Sequence, residues 1–251
     1  MHSYDNLKHK IHNAPSLDFG DIISNAIELF KKVWVKGFLT FLILIAAGVV
    51  INLIFQALGL AADVSILQNG ITPESLAKFY STNAIYSLPQ TILISALTIL
   101  LFSAFYRICK HEVLGTDETD DYFYYFKKDY ISKALMLGII HAIISAVAQA
   151  LFLLPYIYVV VPLAYFTIFF ANNTELKETD IVKLSFALGN KKWLITFGTL
   201  LVCGIIGLLG IIGCGIGIIL TFSIAYLPVF LIYAEVIGLE GTSDIDLIGS
   251  N

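Results

Sequence analysis

Several stretches of this chain run for about 20 residues without one charged side chain, and that feature decides most of what it can fold into. A helix rises 1.5 Å per residue, so about 20 residues match the ~30 Å hydrocarbon core of a bilayer. No water reaches that core, so backbone N–H and C=O groups must pair within the segment, which selects helices. A β-barrel would instead alternate apolar and polar residues in runs of about ten. Hydrophobic residues make up 58% of the 251 and charged residues 14%, against about 45–50% and 25% in soluble domains. The expected fold class is all-α: a polytopic membrane helical bundle.

Six spans are predicted, at about 37–60, 85–106, 133–154, 156–172, 193–212 and 216–238. They form one domain over 16–238. Residues 1–15 read as a flexible cytoplasmic N-terminus and 239–251 as a short acidic tail. Residues 1–15 are polar and the first long apolar run starts near Gly37, so no cleavable signal peptide is expected. Pro155 and Gly213-Cys214-Gly215 suit tight reversals between later spans. Span four is short and contains Pro162.

Lysine and arginine set the orientation. With six spans, fourteen of the fifteen basic residues fall on one side; Lys78 alone lies on the other. That side is expected to be cytoplasmic, with both termini, in a bacterial inner membrane. Each hairpin is preceded by a segment with a basic pair and aromatics: DIISNAIELFKKVWVKGFLTF from Asp21, YFYYFKKDYISKALMLG from Tyr122 and DIVKLSFALGNKKWLITFG from Asp180. In the first, Phe19, Ile23, Ile27, Phe30 and Trp34 recur at helical spacing. The expected unit is therefore interfacial amphipathic helix, span, turn, span, used three times. Lys31, Lys32, Trp34, Lys127, Lys128, Lys191, Lys192 and Trp193 are its interfacial anchors.

The opening LDFGDIISNAIELFKKVWVKGFLTF resembles that of a broad bacterial family of six-span membrane proteins. That family includes the membrane domain fused to some glycerophosphodiester phosphodiesterases. LPYIYVVVPLAYFTIFF followed by DIVKLSFALGNKKWLITFGTLL is similar to its second half. The resemblance implies the architecture only. It carries over no functional residue, and no attached phosphodiesterase domain is expected from which an activity could be transferred.

The chemistry-bearing motifs are sparse. His111-Glu112 begins like HExxH, but Gly115 stands where the second histidine belongs. His9 and His12 have a metal-like spacing without further ligands. The acidic run Asp117, Glu118, Asp120 and Asp121 lacks the glycine of a calcium loop and reads as a solvated loop. Cys109, Cys203 and Cys214 are scattered and read as packing residues. No cofactor, metal or nucleic acid is expected. Within the spans, His141, Ser145 and Gln149 share one helix face, and Asn52 and Gln56 share another, with Gln90 early in span two. These six form a candidate polar cavity in the outer half of the bundle; interhelical hydrogen bonding is the plainer use of the same groups. Gly204, Gly207, Gly210, Gly213 and Gly217 are candidate helix-packing glycines. Glu235 could pair with Lys36 or Lys192. The expected function is non-enzymatic: an accessory or scaffolding subunit docking with other membrane proteins. The alternative is a carrier or binder of lipid or a small amphiphile through the polar cavity.

Overall fold

The computed structural model describes residues 4–60, 64–68, 70–83, 88–116, 118–151, 153–212 and 217–239. Among them the structure is helical, with no strand. Helix α1 spans Tyr4–His12, α2 Phe19–Ala57, α3 Pro73–Asn83, α4 Leu88–Leu114 and α5 Lys128–Ala150. Then come α6 Leu153–Asn172, α7 Glu178–Lys191, α8 Trp193–Leu208, α9 Gly217–Thr221 and α10 Leu227–Ile237. Five helical segments are long and apolar enough to cross a membrane: Phe19–Ala57, Leu88–Leu114, Lys128–Ala150, Leu154–Asn172 and Ile219–Ile237. A sixth exists if α7 and α8, which meet at 85°, count as one span.

Local chemistry explains the ends and breaks. Asp18 caps α2 by accepting hydrogen bonds from the N–H groups of Gly20 (2.7 Å) and Asp21 (3.0 Å). Thr72 and Ser75 cap α3 reciprocally, with Pro73 at the first helical position. The chain leaves α4 through Gly115 at φ +63°, a left-handed conformation that glycine adopts without strain. The last segment is 3-10 over Phe222–Tyr226, between α9 and α10. Pro228 has no N–H to return to Ile224, and the Leu227 N–H bonds the Ile224 carbonyl instead.

Helix α4 is the central element. Of its most apolar stretch 67% is buried, against 11% for α2, which lies at the rim. Phe102, Phe105, Tyr106, Phe166, Phe169, Phe230 and Tyr233 fill the core between α4, α6 and α10. Phe102 stacks on Tyr226 with centroids 4.1 Å apart, and Phe169 meets Tyr233 edge-on at 5.1 Å.

The repeated unit is corrected in two of its three copies. The first amphipathic segment is no separate interfacial helix: it is the N-terminal half of α2, which runs unbroken for 39 residues, about 58 Å. Lys31, Lys32 and Trp34 lie exposed on that continuous helix. A basic-aromatic cluster marks a boundary level, and a helix can pass straight through it. Lone Gly37 costs too little, about 1 kcal/mol, to break it. In the second copy, Tyr122–Tyr125 form a turn, and exposed Lys127 and Lys128 start α5. The third copy does contain a distinct helix, α7, but it packs along α6 in an antiparallel hairpin. Gly189 abuts Pro162, and the Tyr158 hydroxyl donates to Asn190 Oδ1 at 2.6 Å. Trp193 donates to the Tyr158 carbonyl at 3.0 Å, so this anchor is spent on α6. Lys191 is exposed, while Lys192 donates to the Pro15 carbonyl.

Two further expectations change. Residues 4–12 are not a loose tail: α1 buries Leu7 and Ile11 against the bundle, and Lys10 Nζ donates to the Ile237 carbonyl at 2.6 Å. Pro155 lies inside the first turn of α6, not in the link before it. The link at Gly213-Cys214-Gly215 and the tail beyond Leu239 lie outside the described residues.

Candidate functional site

The span polar residues come together as pairs. Gln90 Nε2 donates to Asn52 Oδ1 at 3.2 Å, tying α4 to α2. His141 Nδ1 lies 3.2 Å from Ser95 Oγ, tying α5 to α4, and its ring meets Phe166 edge-on. Ser145, one turn further along α5, is buried with no hydrogen-bond partner for its hydroxyl among the described residues. Gln149 is half-buried, whereas Gln56, one turn beyond Asn52 on α2, is exposed. Ser95 was not among the expected residues, because a lone serine in an apolar helix carries no periodic signal. Further ties follow the same plan: Tyr165 to Thr196 at 2.7 Å between α6 and α8, and Asn173 to Tyr233 at 2.9 Å between α6 and α10.

The glycines divide. Gly210 and Gly217 lie in mutual backbone contact, and a Cβ on Gly207 would sit 3.2 Å from Phe222 Cα. Gly204 faces open space, with nothing within 4 Å of a Cβ, so it does not pack closely against the described residues. Gly213 lies outside the described residues. Within the first four predicted spans and α7 the close approaches fall on Gly37, against Ser223, and on Gly138 and Gly189, none of them among the expected packing glycines.

The densest charge cluster sits at the opposite, basic end. Helix α4 outlasts its apolar stretch and carries Arg107, Lys110, His111 and Glu112 beyond it. Lys36 Nζ pairs with Glu112 at 3.1 Å and with Asp120 at 3.4 Å. Burial acts to lower the Lys36 pKa, but the two carboxylates outweigh it and hold the ammonium above its ordinary value. Glu118 pairs with Arg107, and the same oxygen lies 3.4 Å from His111 Nε2. The acidic loop is thus not simply solvated: Glu118 and Asp120 clamp it onto α4 and α2, while Asp117 lies outside the described residues. Glu235 is exposed, and Lys36 is committed elsewhere.

Aromatic groups frame this cluster. The Arg107 guanidinium lies 4.0 Å from the Tyr124 ring centroid, and Lys127 Nζ lies 4.5 Å from the same centroid. Tyr125 donates to the Ala171 carbonyl at 2.7 Å. Lys133 donates to the Leu176 carbonyl at 2.6 Å and to that of Thr174, satisfying carbonyls past the end of α6. Two cavities result. One of about 170 Å³ lies among Arg107, Lys110, His111, Tyr124, Tyr130 and Asn172; one of about 240 Å³ lies among Lys36, His111, Glu112, Glu118 and Asp120. His111 lines both. Its pKa is lowered, by burial first and by Arg107 second, with Glu118 opposing them. His111 Nδ1 is buried without a hydrogen-bond partner among the described residues. The described residues hold no group of three or more histidine, cysteine or carboxylate side chains arranged for a metal ion.

No protein-family model matches the chain, and comparison with curated proteins and with solved structures finds no match.

Proposed function

We propose that this chain is a non-enzymatic accessory or scaffolding subunit that docks with other integral membrane proteins in a bacterial cytoplasmic (inner) membrane. The reading includes six spans, the fifth formed by α8 and entered through α7, with both termini on the cytoplasmic side. It also includes the relation to the six-span family named above. The observation that carries it is the state of α2. Its membrane stretch is 11% buried and presents Leu42, Ile45, Val49, Val50 and Leu53 outward. Lipid tails are as apolar as these side chains, so a second helix gains mainly from close packing and polar ties. Gly48 supports close approach, since a Cβ there would meet nothing, and exposed Gln56 offers an amide. Asn52, Gln90, Ser95 and His141 are meanwhile spent on internal ties.

A photo-crosslinking residue at Val50 or Leu53 in native membranes should give a protein adduct of one discrete mass. Adducts with lipid alone at both positions would refute the docking reading. Orientation needs a cysteine-free background, because native Cys109 is fully buried and cannot report it. Lys177→Cys should label only from the cytoplasmic side and Ser65→Cys only from outside; both positions are exposed.

The second reading, a carrier of lipid or a small amphiphile, is favoured by one detail. The unpartnered Ser145 hydroxyl sits a turn from His141, with half-buried Gln149 a turn beyond. Apolar replacement of Asn52, Gln56, His141 and Gln149 together should then abolish function while the protein still folds, and normal complementation by that variant would dismiss the idea.

A further inference from the structure

We propose that the cavity among Arg107, Lys110 and His111 is a binding site for a phosphate group, with the Glu118 carboxylate as its resident competitor. This goes beyond the accessory-subunit reading and does not depend on it.

The three side chains sit at i, i+3 and i+4 on α4, so one helix face presents them together. The start of α5, the aromatic turn before it and the end of α6 close the space around them. Its volume of about 170 Å³ is roughly that of five liquid waters at ~30 Å³ each, enough for a tetrahedral oxyanion. Arg107 is held against Tyr124, and its planar fork matches two oxygens of one phosphate. Lys110 adds a point charge, and His111 adds ring nitrogens, one of them buried and unpartnered among the described residues.

Glu118 shows what the site selects. One of its oxygens bridges Arg107 and His111, so a carboxylate from the neighbouring cavity already engages two of the side chains that line this one. Its side chain is 53% exposed and rides on a loop, so it can leave without disturbing a helix. Inorganic phosphate offers more acceptor oxygens and more charge to the same donors, and a phosphodiester offers them a single charge on two free oxygens, as the carboxylate does. The cavity lies where the apolar part of α4 ends, among tyrosines and lysines of the kind that gather at headgroup level. A phosphodiester headgroup of the adjoining leaflet and free phosphate share the required chemistry.

The test uses the full chain in two settings at constant ionic strength. In neutral detergent it is titrated with inorganic phosphate. In nanodiscs, phosphatidylglycerol is compared with a phosphate-free galactolipid. Binding is read by calorimetry and by the shift in melting temperature. Glu118→Gln should bind roughly tenfold tighter than wild type. Arg107→Gln and Lys110→Gln should each bind roughly tenfold more weakly. Exposed Glu28→Gln changes the net charge equally and should match wild type. A response in the detergent arm, the lipid arm or both, ordered in this way, supports the site and identifies the source. No response in wild type and Glu118→Gln, equal responses across all variants, or Glu118→Gln equal to wild type would overturn it. If Arg107→Gln fails to fold, Lys110→Gln and Glu118→Gln still decide.

Discussion

Replacing Gly138 by alanine places a methyl group where α5 crosses α4. The new Cβ would stand 2.8 Å from the backbone nitrogen of Ala96 and 3.0 Å from the carbonyl oxygen of Ile92. Both are main-chain atoms of a central helix, so no side chain can swing aside. The helices must part by roughly half an ångström, which forfeits a quarter or more of the attraction at each contact atom. Overpacking of this kind costs about 1–3 kcal/mol. The His141–Ser95 contact, 3.2 Å in the parent, lies next to this crossing and lengthens with it. An interhelical bond in a membrane contributes about 0.6 kcal/mol. Alanine returns up to about 1 kcal/mol of helix propensity, leaving a net loss of roughly 1–3 kcal/mol. Gly204→Ala is the control, with open space around its Cβ; it should be neutral or gain up to about 1 kcal/mol. Melting in detergent, followed by size-exclusion recovery, should separate the two variants by roughly 2–16 °C, using ~2–4 °C per kcal/mol. Equal melting of the two variants would show that α4 and α5 do not meet at Gly138.

Asn52→Leu and Gln90→Leu should each cost about 0.6 kcal/mol and the double variant no more, because all three lose one bond; an additive double variant in a steric-trapping cycle counts against the pair. Leu7→Asp should free α1 by burying an unpaired charge, and chymotryptic cleavage near Tyr4–Phe19 should quicken by about tenfold or more; an unchanged rate would mean that α1 is not docked. The pH dependence follows from His111, which faces Arg107, Lys110, Glu118 and Asp120. Its folded pKa is depressed below the ordinary 6.5, so the unfolded chain takes the proton first. Its contribution is complete above pH 6.5 and is lost as pH falls toward the folded value. Glu118→Gln removes the opposing attraction and should steepen that loss between pH 7 and 5, roughly the window of an ordinary histidine; parallel melting curves would refute this.

The long apolar runs made the helical spans legible, because a bilayer imposes length and hydropathy on each segment independently. What escaped was how segments join and meet. The join of the first amphipathic segment to its span was unreadable, because Lys31, Lys32 and Trp34 mark a depth and contain no helix stop. Helix α3 was overlooked, although Thr72-Pro73-Glu74-Ser75 carries a cap and a first-turn proline that could have revealed it. The helical period puts His141, Ser145 and Gln149 on one face of their span. It could not name Ser95 or Gln90's partner, since a contact between helices leaves no periodic mark in either. The glycine-rich fifth and sixth spans drew attention from Gly138 and Gly189, whose neighbours are fixed by packing alone. The charge cluster around His111 was visible as residues but not as a site, because its acids and bases meet only when the loop folds back over α4.

The Lys10 bond to the Ile237 carbonyl spans 227 positions. On a ribosome adding ~5–20 residues per second, roughly 10–50 s separate the two partners' synthesis. Throughout that interval Leu7 and Ile11 have no complete seat, for α7 and α10 are still being made. An undocked first helix is therefore the mark of an unfinished molecule, open to chaperone or protease alike. Its docking closes the fold and withdraws that mark.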